Sequence, residues 1–490
     1  MALTEQIQPP SFSVRGPVRA ARALLTLNST LPFPVLLYFI AIALPVQFNA
    51  GGVLLTGVRC LLLAMFVPIV FKLLAGHYGK LIWADLIFFL FCPWAIWTLY
   101  LNSPASAISF GGSVAVEFYG GYLLARAYIR TPETFAGMCK ALFWVIALTL
   151  PFAFYETQTG WAPIPGTLNK LPFFFSYIDF YNEAAGKRMG LERAAVNFQH
   201  PIHYGLFCST AFSLAFVGFK GLVTTWQRYM IALLSILGVI FSVSSGAMLP
   251  MILHFVLIFW AWSLDKVRSK WIIIMILVAF AYVIVDLISN RTPIQVFLSY
   301  ATFSPHNAYW RVLIFEWGLK NVWANPLYGL GLNEWVRPWF MNSGSMDNFW
   351  LLNAVRYGIP GFLLMATGYV LIIWGVARRK IEEGTPTWQF RRAWMITFVG
   401  LVLSLCTVDV WASVFSYVSF LLGSGVWFLS AAEKLPKTGV SARLAAGRSS
   451  AAPSAMADDL QDLTRATAER APATSGYTRF DQTQIRRKSP

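Results

Sequence analysis

Charge is what this sequence has least of. Only 12% of its residues are Asp, Glu, Lys or Arg, where soluble domains carry about 25%. So few charges cannot cover a water-facing surface, which excludes a soluble globular domain. Cysteine is also scarce, and Cys60, Cys92, Cys139, Cys208 and Cys406 all fall in or beside apolar runs without paired spacing. That pattern points to buried small side chains rather than disulfides or metal ligands. No P-loop, no dinucleotide-binding glycine fingerprint and no G-x-S-x-G elbow occurs, so nucleotide-driven transport and serine hydrolysis have no motif to rest on. Acidic residues are the rarer sign, 22 against 38 basic, for a net charge of +16. The excess is split among several short loops instead of forming one stripe, so it does not indicate a nucleic-acid partner.

What is abundant is apolar bulk: 57% hydrophobic residues, with 40 Phe and 20 Trp. Apolar runs of about 20 residues, long enough to cross a hydrocarbon core about 30 Å thick as helices, recur along the chain. Twelve are expected, near 31–48, 52–74, 80–101, 106–126, 135–155, 200–219, 228–244, 246–264, 270–289, 358–377, 395–411 and 413–430. The fold class is therefore an all-α polytopic membrane protein. The first 30 residues run polar, then basic (Arg15, Arg19, Arg22), and enter the first run without a small-residue cleavage site, so no cleaved signal peptide is expected.

Basic loops at 75–80, 125–131, 220–228, 265–270 (which includes Arg268) and 378–392 alternate with nearly uncharged connections. The positive-inside rule then puts both termini in the cytoplasm. Three regions follow: a cytoplasmic segment at 1–30, a transmembrane domain at 31–430, and a tail at 431–490. The tail is rich in Ala, Ser, Thr, Arg and Asp, a composition too poor in apolar groups to fold alone, with a helix suggested at 454–470. With this topology two long connections, 156–199 and 290–357, face the outer side. Long loops on a rigid scaffold are where function concentrates. The second is expected to carry an interfacial helix over 308–322, ended by Asn325-Pro326. A glycine-rich turn follows at 325–335, where bare backbone can approach an anion.

Ionisable groups within spans are costly and need a reason. Arg59 and Glu117 suit either a structural pair or a role at a cavity; Asp85, near a span end, suits a solvated position; Asp409 also qualifies. At the outer mouth of the sixth run, KRMGLERAAVNFQHPIHYG (187–205) gathers Lys187, Arg188, Arg193, His200 and His203. Three cations and two imidazoles fit an anionic lipid head group; the alternative is a solvated loop with two helix-end histidines. No Cys, Asp or Glu at ligand spacing completes a metal site around the histidines.

In the second outer loop, Arg311 followed by Ile314-Phe315, the turn NPLYGLG (325–331) and DNFWLLNAVRYGIPG (347–361) resemble the signature region of the O-antigen ligase and polysaccharide polymerase superfamily. RAAVNFQHPIHYG (193–205) resembles that family's upstream Arg, Phe and Pro element, and FSVSSGAML (241–249) its Ser-Arg-Gly segment, with Ser245 in place of the arginine. The resemblance implies a metal-independent membrane glycosyltransferase without cofactor, in a bacterial inner membrane. Such enzymes move a glycan from undecaprenyl diphosphate to an acceptor hydroxyl at the periplasmic face. A departing diphosphate needs planar guanidinium donors. Arg311 and Arg193 take that role by motif position, with Arg188, Arg356, His200 and His203 as further candidates.

The acceptor hydroxyl needs a base. Family members have histidine before the Asn, and here Asp347 holds that slot. His306, which also precedes an Asn, comes before Arg311 and so reverses the family's order; it stays a second candidate. Aspartate is a weak base in water unless burial strengthens it, and Asp347 also suits a helix N-cap.

The departures at Asp347 and Ser245 favour an exopolysaccharide or O-antigen polymerase over a ligase acting on lipid A-core. A solute transporter or a lipid-glycan flippase is the alternative of another class, but charges gathered in outer loops rather than at the midplane argue against both. Expected partners are the lipid-linked glycan, the bilayer, and chain-length regulators or export proteins.

Overall fold

The computed structural model describes residues 29–50, 53–170, 186–267, 269–300 and 305–431. The segment 1–30 except its last two residues, the tail beyond Ala431 with the helix suggested at 454–470, and Arg268 lie outside the described residues.

Helices dominate what is described. Eight of them are long and apolar enough to cross a membrane by length and composition: Gly57–Leu74, Trp83–Asn102, Pro132–Thr159, Pro201–Gly218, Ser245–Ser263, Lys270–Ile288, Phe349–Arg378 and Ala412–Leu429. The chain is a largely helical, polytopic membrane protein. None of its five cysteines is in a disulfide.

One departure from an all-helical chain stands at the start. The first helix, Phe33–Ala43, stops two residues before Pro45, whose missing N–H and bulky ring oppose helical continuation. A two-stranded antiparallel hairpin, Gln47–Ala50 with Val53–Thr56, replaces the expected ends of the first two spans. Thr56 then caps the Gly57–Leu74 helix by accepting from the Arg59 backbone N–H at 3.1 Å.

Arg59 turns its side chain back onto the hairpin, donating to the Leu54 carbonyl at 2.7 Å and to Glu117 Oε1 at 2.8 Å. Glu117 sits on a π-turn, Val116–Gly120, between helices Ala107–Ala115 and Gly121–Tyr128. The extra residue of such a turn re-aims side chains and often marks a functional position.

Asp85 is not solvated. It is 1% exposed, accepts from the Tyr122 hydroxyl at 2.6 Å and the Ile82 N–H at 3.0 Å, and faces Arg126 at 3.5 Å. An anion in the first turn of a helix is favoured by the helix dipole, and Tyr122 and Arg126, four residues apart, lie on one face of the neighbouring helix. The position that suggested a solvated end is a buried ion pair.

The expected outer helix at 308–322 is present as Pro305–Ala324. Ile314 and Val322 pack with Trp335, Met341, Leu351 and Val355 into a small separate core. Asn321 pins the extended return: its Oδ1 accepts from the Val336 N–H at 2.9 Å and its Nδ2 donates to the Val336 carbonyl at 2.8 Å.

The 30-residue helix Phe349–Arg378 packs along Trp83–Asn102. A Cβ on Gly368 would lie 2.0 Å from the Phe88 ring. Such close approach through small residues replaces the hydrophobic drive that lipid removes between helices. This helix breaks at Gly358, whose φ of 72° and ψ of 176° are not helical, so a short first piece and a longer apolar piece meet where Gly-Ile-Pro-Gly lies.

The glycine-rich turn has a different use from the one expected. Ile359 N–H donates to the Pro326 carbonyl at 2.8 Å, Leu330 N–H to Val355 at 2.7 Å and Gly331 N–H to Arg356 at 3.0 Å. A Cβ on Gly358 would stand 2.2 Å from the Leu327 carbonyl oxygen, and one on Gly329, 2.5 Å from that of Val355. The bare backbone of the turn meets the bare backbone of the kink, so it locks the loop to the span instead of cradling an anion.

Candidate functional site

The cations ahead of the Pro201–Ser213 helix are held by two local devices. Arg188 and Leu191 exchange backbone hydrogen bonds, both 3.0 Å, across Met189 and Gly190, each with positive φ. This tight turn, in which glycine suits the left-handed geometry, presents Arg188. Arg193 begins an irregular stretch clamped by Glu156, whose two carboxylate oxygens accept from Ala195 N–H and Val196 N–H, both at 2.9 Å. Ala194 N–H donates to Phe241. Lys187 pairs with Glu192 at 3.1 Å on the exposed side of the turn.

His200 and Pro201 open the Pro201–Ser213 helix, and His200 Nδ1 accepts from the Ile202 N–H at 3.2 Å as its N-cap. His203 is buried one turn on, against the Trp411 ring at 4.0 Å between centroids, with Nε2 3.4 Å from the Asp409 carbonyl. Both histidines thus have helix-end work, and both also line a cavity.

That cavity, about 230 Å³, is lined by Arg188, Arg193, His200, His203, Asp347 and Asp409 among others. A smaller one of about 80 Å³ shares Arg188, Ile202 and Asp347 with it and adds Ser244, Ser245, Gly246, Asn307, Trp310 and Arg311. Arg311 arrives there because Asn307, Trp310, Arg311 and Ile314 lie three and four residues apart on one face of the Pro305–Ala324 helix. Six of the eight predicted site residues, Arg188, Arg193, His200, His203, Arg311 and Asp347, therefore meet in one cleft, from segments 188–203, 311 and 347.

The remaining two lie off it. His306 is exposed and its Nε2 accepts from the Trp310 indole N–H at 2.8 Å; Trp310 lines the cleft and His306 does not. Arg356 lines a third cavity of about 420 Å³, together with the Arg59–Glu117 pair, Asn353, Gln199 and Phe110. Asp409 and Trp411 form the wall shared with the cleft. The Arg59–Glu117 ion pair thus has both characters at once, structural and cavity-lining.

Asp347 is exposed into the cleft and accepts from the Ser345 hydroxyl at 2.9 Å. It is not the N-cap of the following helix. Asn348 is, its Oδ1 accepting from the Leu351 N–H at 3.0 Å, which leaves the Asp347 carboxylate to the cleft.

Electrostatics bind the group together. Burial pushes the Arg193 guanidinium down to about 10, Arg188 adding to the fall and Asp347 opposing it. Burial lowers Arg311 as well, again against the pull of Asp347. At about 10, Arg193 stays cationic at neutral pH. Burial, followed by nearby Arg193, takes the His200 imidazole down to about 4, so it is neutral there. Burial pushes the Asp409 carboxyl up to about 7, against Arg356 and the Val410 backbone.

Four helices begin at this cleft: Pro201–Ser213 after His200, Ser245–Ser263 after Ser244, Phe349–Arg378 after Asn348 and Ala412–Gly423 after Trp411. Each helix start carries roughly half a positive charge, which suits anions, although the Ile202, Leu351 and Phe349 N–H groups are already taken by His200, by Asn348 and by the Leu405 and Val408 carbonyls. Ser244 Oγ is buried there with no hydrogen-bond partner among the described residues. Where arginine is usual in the resembling family, Ser245 opens one of these helices.

Sequence alone missed Glu156 as the clamp behind Arg193, and Asp409 and Ser244 as lining groups. Asp409 was visible as an ionisable residue, but the short connection after the Pro386–Ser404 helix that aims it inward has no motif. Among the described residues, no group of three or more His, Cys, Asp or Glu could hold a metal ion.

The fold and cleft define a membrane-embedded protein with a cationic site at the starts of four helices. A family model described as O-antigen ligase matches residues 230–366, so the chain carries that domain. The match includes Ser244, Arg311, Asp347 and the locked kink, whereas Arg188, Arg193, His200, His203 and Asp409 come from outside it. No curated protein matches the chain.

Proposed function

We propose that the protein is a glycosyltransferase that moves a glycan from a lipid diphosphate carrier to an acceptor hydroxyl. The observation that carries this is the cleft itself: Arg188, Arg193 and Arg311 surround Asp347 where four helices begin. The acceptor oxygen attacks the anomeric carbon, the bond from that carbon to the diphosphate oxygen breaks, and the lipid diphosphate leaves. Asp347 takes the hydroxyl proton. The arginines and helix starts hold the charge that develops on the leaving oxygen, where such fixed donors act most strongly. Arg356, His200 and His203 line the surroundings, and His306 contributes through Trp310.

The family description favours a ligase over the polymerase to which Asp347 and Ser245 pointed. The undecaprenyl carrier, a lipid A-core acceptor, metal-independent chemistry and partnership with export or chain-length proteins belong to this proposal. So do the bacterial inner membrane, cytoplasmic termini and the division into 1–30, 31–430 and 431–490. Four further helical stretches support twelve crossings: Phe33–Ala43, 107–128, Thr225–Phe241 and Pro386–Ser404.

In cells expressing Asp347→Ala, surface glycan transfer is expected to be lost while the chain still inserts. Glycans of normal amount and length in that variant would sink the proposal. Gel profiles of a deletion strain separate the two transferases. Full-length lipid-linked polymer accumulates if a ligase is missing, and single attached units remain if a polymerase is missing. Unchanged glycans with altered solute uptake indicate transport.

A further inference from the structure

Two of the helices that open at the Asp347 cleft, Pro201–Ser213 and Ser245–Ser263, help line a larger cavity toward their other ends. It measures about 1060 Å³ and lies between the Pro201–Gly218 span, Thr225–Phe241, Ser245–Ser263 and Pro386–Ser404. Its floor is aromatic and aliphatic, with Phe212, Phe255 and Ile236 among the lining groups. Its mouth is basic. Lys220, Arg228 and Arg392 line it against one acid, Asp265, and Asp265 is already 3.7 Å from Lys270.

Arg228 is held by aromatic rings rather than by a carboxylate. Its guanidinium lies 5.0 Å from the Phe216 ring centroid and 5.2 Å from that of Tyr229, an arrangement that orients the fork. Its Nε is buried and has no hydrogen-bond partner among the described residues. Arg392 stacks on Trp388 in the same way, at 4.4 Å.

The geometry has the layering of a bilayer leaflet. Lys220, Arg228 and Arg392 sit in the connection before, or within the first two turns of, their helices, at the depth of head groups. Trp226 and Trp262, 72% and 73% exposed, flank the mouth as interfacial tryptophans do. From Arg228 to Ile236 the Thr225–Phe241 helix runs eight residues, about 12 Å, close to half of a hydrocarbon core about 30 Å thick.

We propose that this groove is a binding site for an anionic glycerophospholipid. Its phosphate is held by Lys220, Arg228 and Arg392, and its acyl chains lie against Phe212, Phe255 and Ile236. Basic pockets between membrane helices suit such head groups. The site is separate from the glycan-transfer cleft and does not depend on that function.

The test uses the full chain, purified and placed in nanodiscs of mixed phosphatidylglycerol and phosphatidylcholine, with retained lipid measured by native mass spectrometry. The parent protein is expected to retain phosphatidylglycerol at least tenfold over phosphatidylcholine, and the triple variant K220Q/R228Q/R392Q to lose that preference. Equal retention of both lipids by the parent, or an unchanged preference in the triple variant, overturns the proposal. A second measurement needs no variant. Phosphatidylglycerol with a photoreactive acyl chain is expected to crosslink the parent protein within 226–236 or 255–262; crosslinks confined to other segments overturn it.

Discussion

At the scale of single residues, the cleft sorts its two carboxylates by surroundings. Asp347 is open and held by Ser345, whereas Asp409 is half-buried and its carboxyl is pushed up to about 7 by burial. A carboxyl whose folded-state value is raised binds its proton more tightly in the folded chain. Its stabilising contribution is full below about pH 4, falls as pH rises, and is gone above about 7. Asp409→Asn removes that slope. Thermal midpoints in detergent at pH 5 and pH 8 are expected to differ less in the variant than in the parent, by a contribution on the order of 2 kcal/mol after allowing for solvent at the cavity. An equal pH dependence in both would show that Asp409 does not titrate in this range. His200, lowered to about 4, acts with the opposite sign, because the unfolded imidazole takes up its proton as pH falls through about 6.5, and it does so in parent and variant alike.

At the scale of elements, the lock between the turn 325–331 and the kink at Gly358 fixes where Asp347 and Arg311 stand relative to the membrane helices. Gly358→Ala would place a Cβ 2.2 Å from the Leu327 carbonyl and impose a positive φ on an L side chain. A cost of more than about 1 kcal/mol is expected, read as a lowered thermal midpoint together with reduced transfer. A variant as stable and active as the parent would mean that the lock is dispensable. The kink was legible in Gly-Ile-Pro-Gly, and the outer helix in its apolar spacing and its Asn325-Pro326 stop. The purpose of the glycine turn was not legible, because glycine suits an approaching anion and an approaching carbonyl equally well, and only the fold decides which is near.

At the scale of the whole molecule, apolar runs made the helical membrane class plain, since about 20 apolar residues have few other uses. They were a poor guide to ends. Pro45 shortens the first helix into a hairpin, and Asp85 is buried through partners more than 35 residues away, which no local window connects. The site followed the same rule. Residues clustered in one loop were found, whereas Asp409 and Glu156 reached it through long-range packing. Orientation has a direct test. Met189 is 90% exposed beside Arg188, whereas Cys92, Cys139 and Cys208 are buried. In a background with Cys60 and Cys406 changed to Ser, Met189→Cys is expected to react with an impermeant maleimide added to cells whose outer membrane alone has been opened. Labelling only after the inner membrane is breached would invert the topology.

The four helix starts at the cleft carry one more consequence. Their positive field comes from the direction in which the chain runs, so no proton can neutralise it and no side-chain replacement erases it. On the proposed function, an aspartate and a serine can therefore stand where the resembling family has histidine and arginine, because the contribution of the helix starts to anion binding does not change with pH.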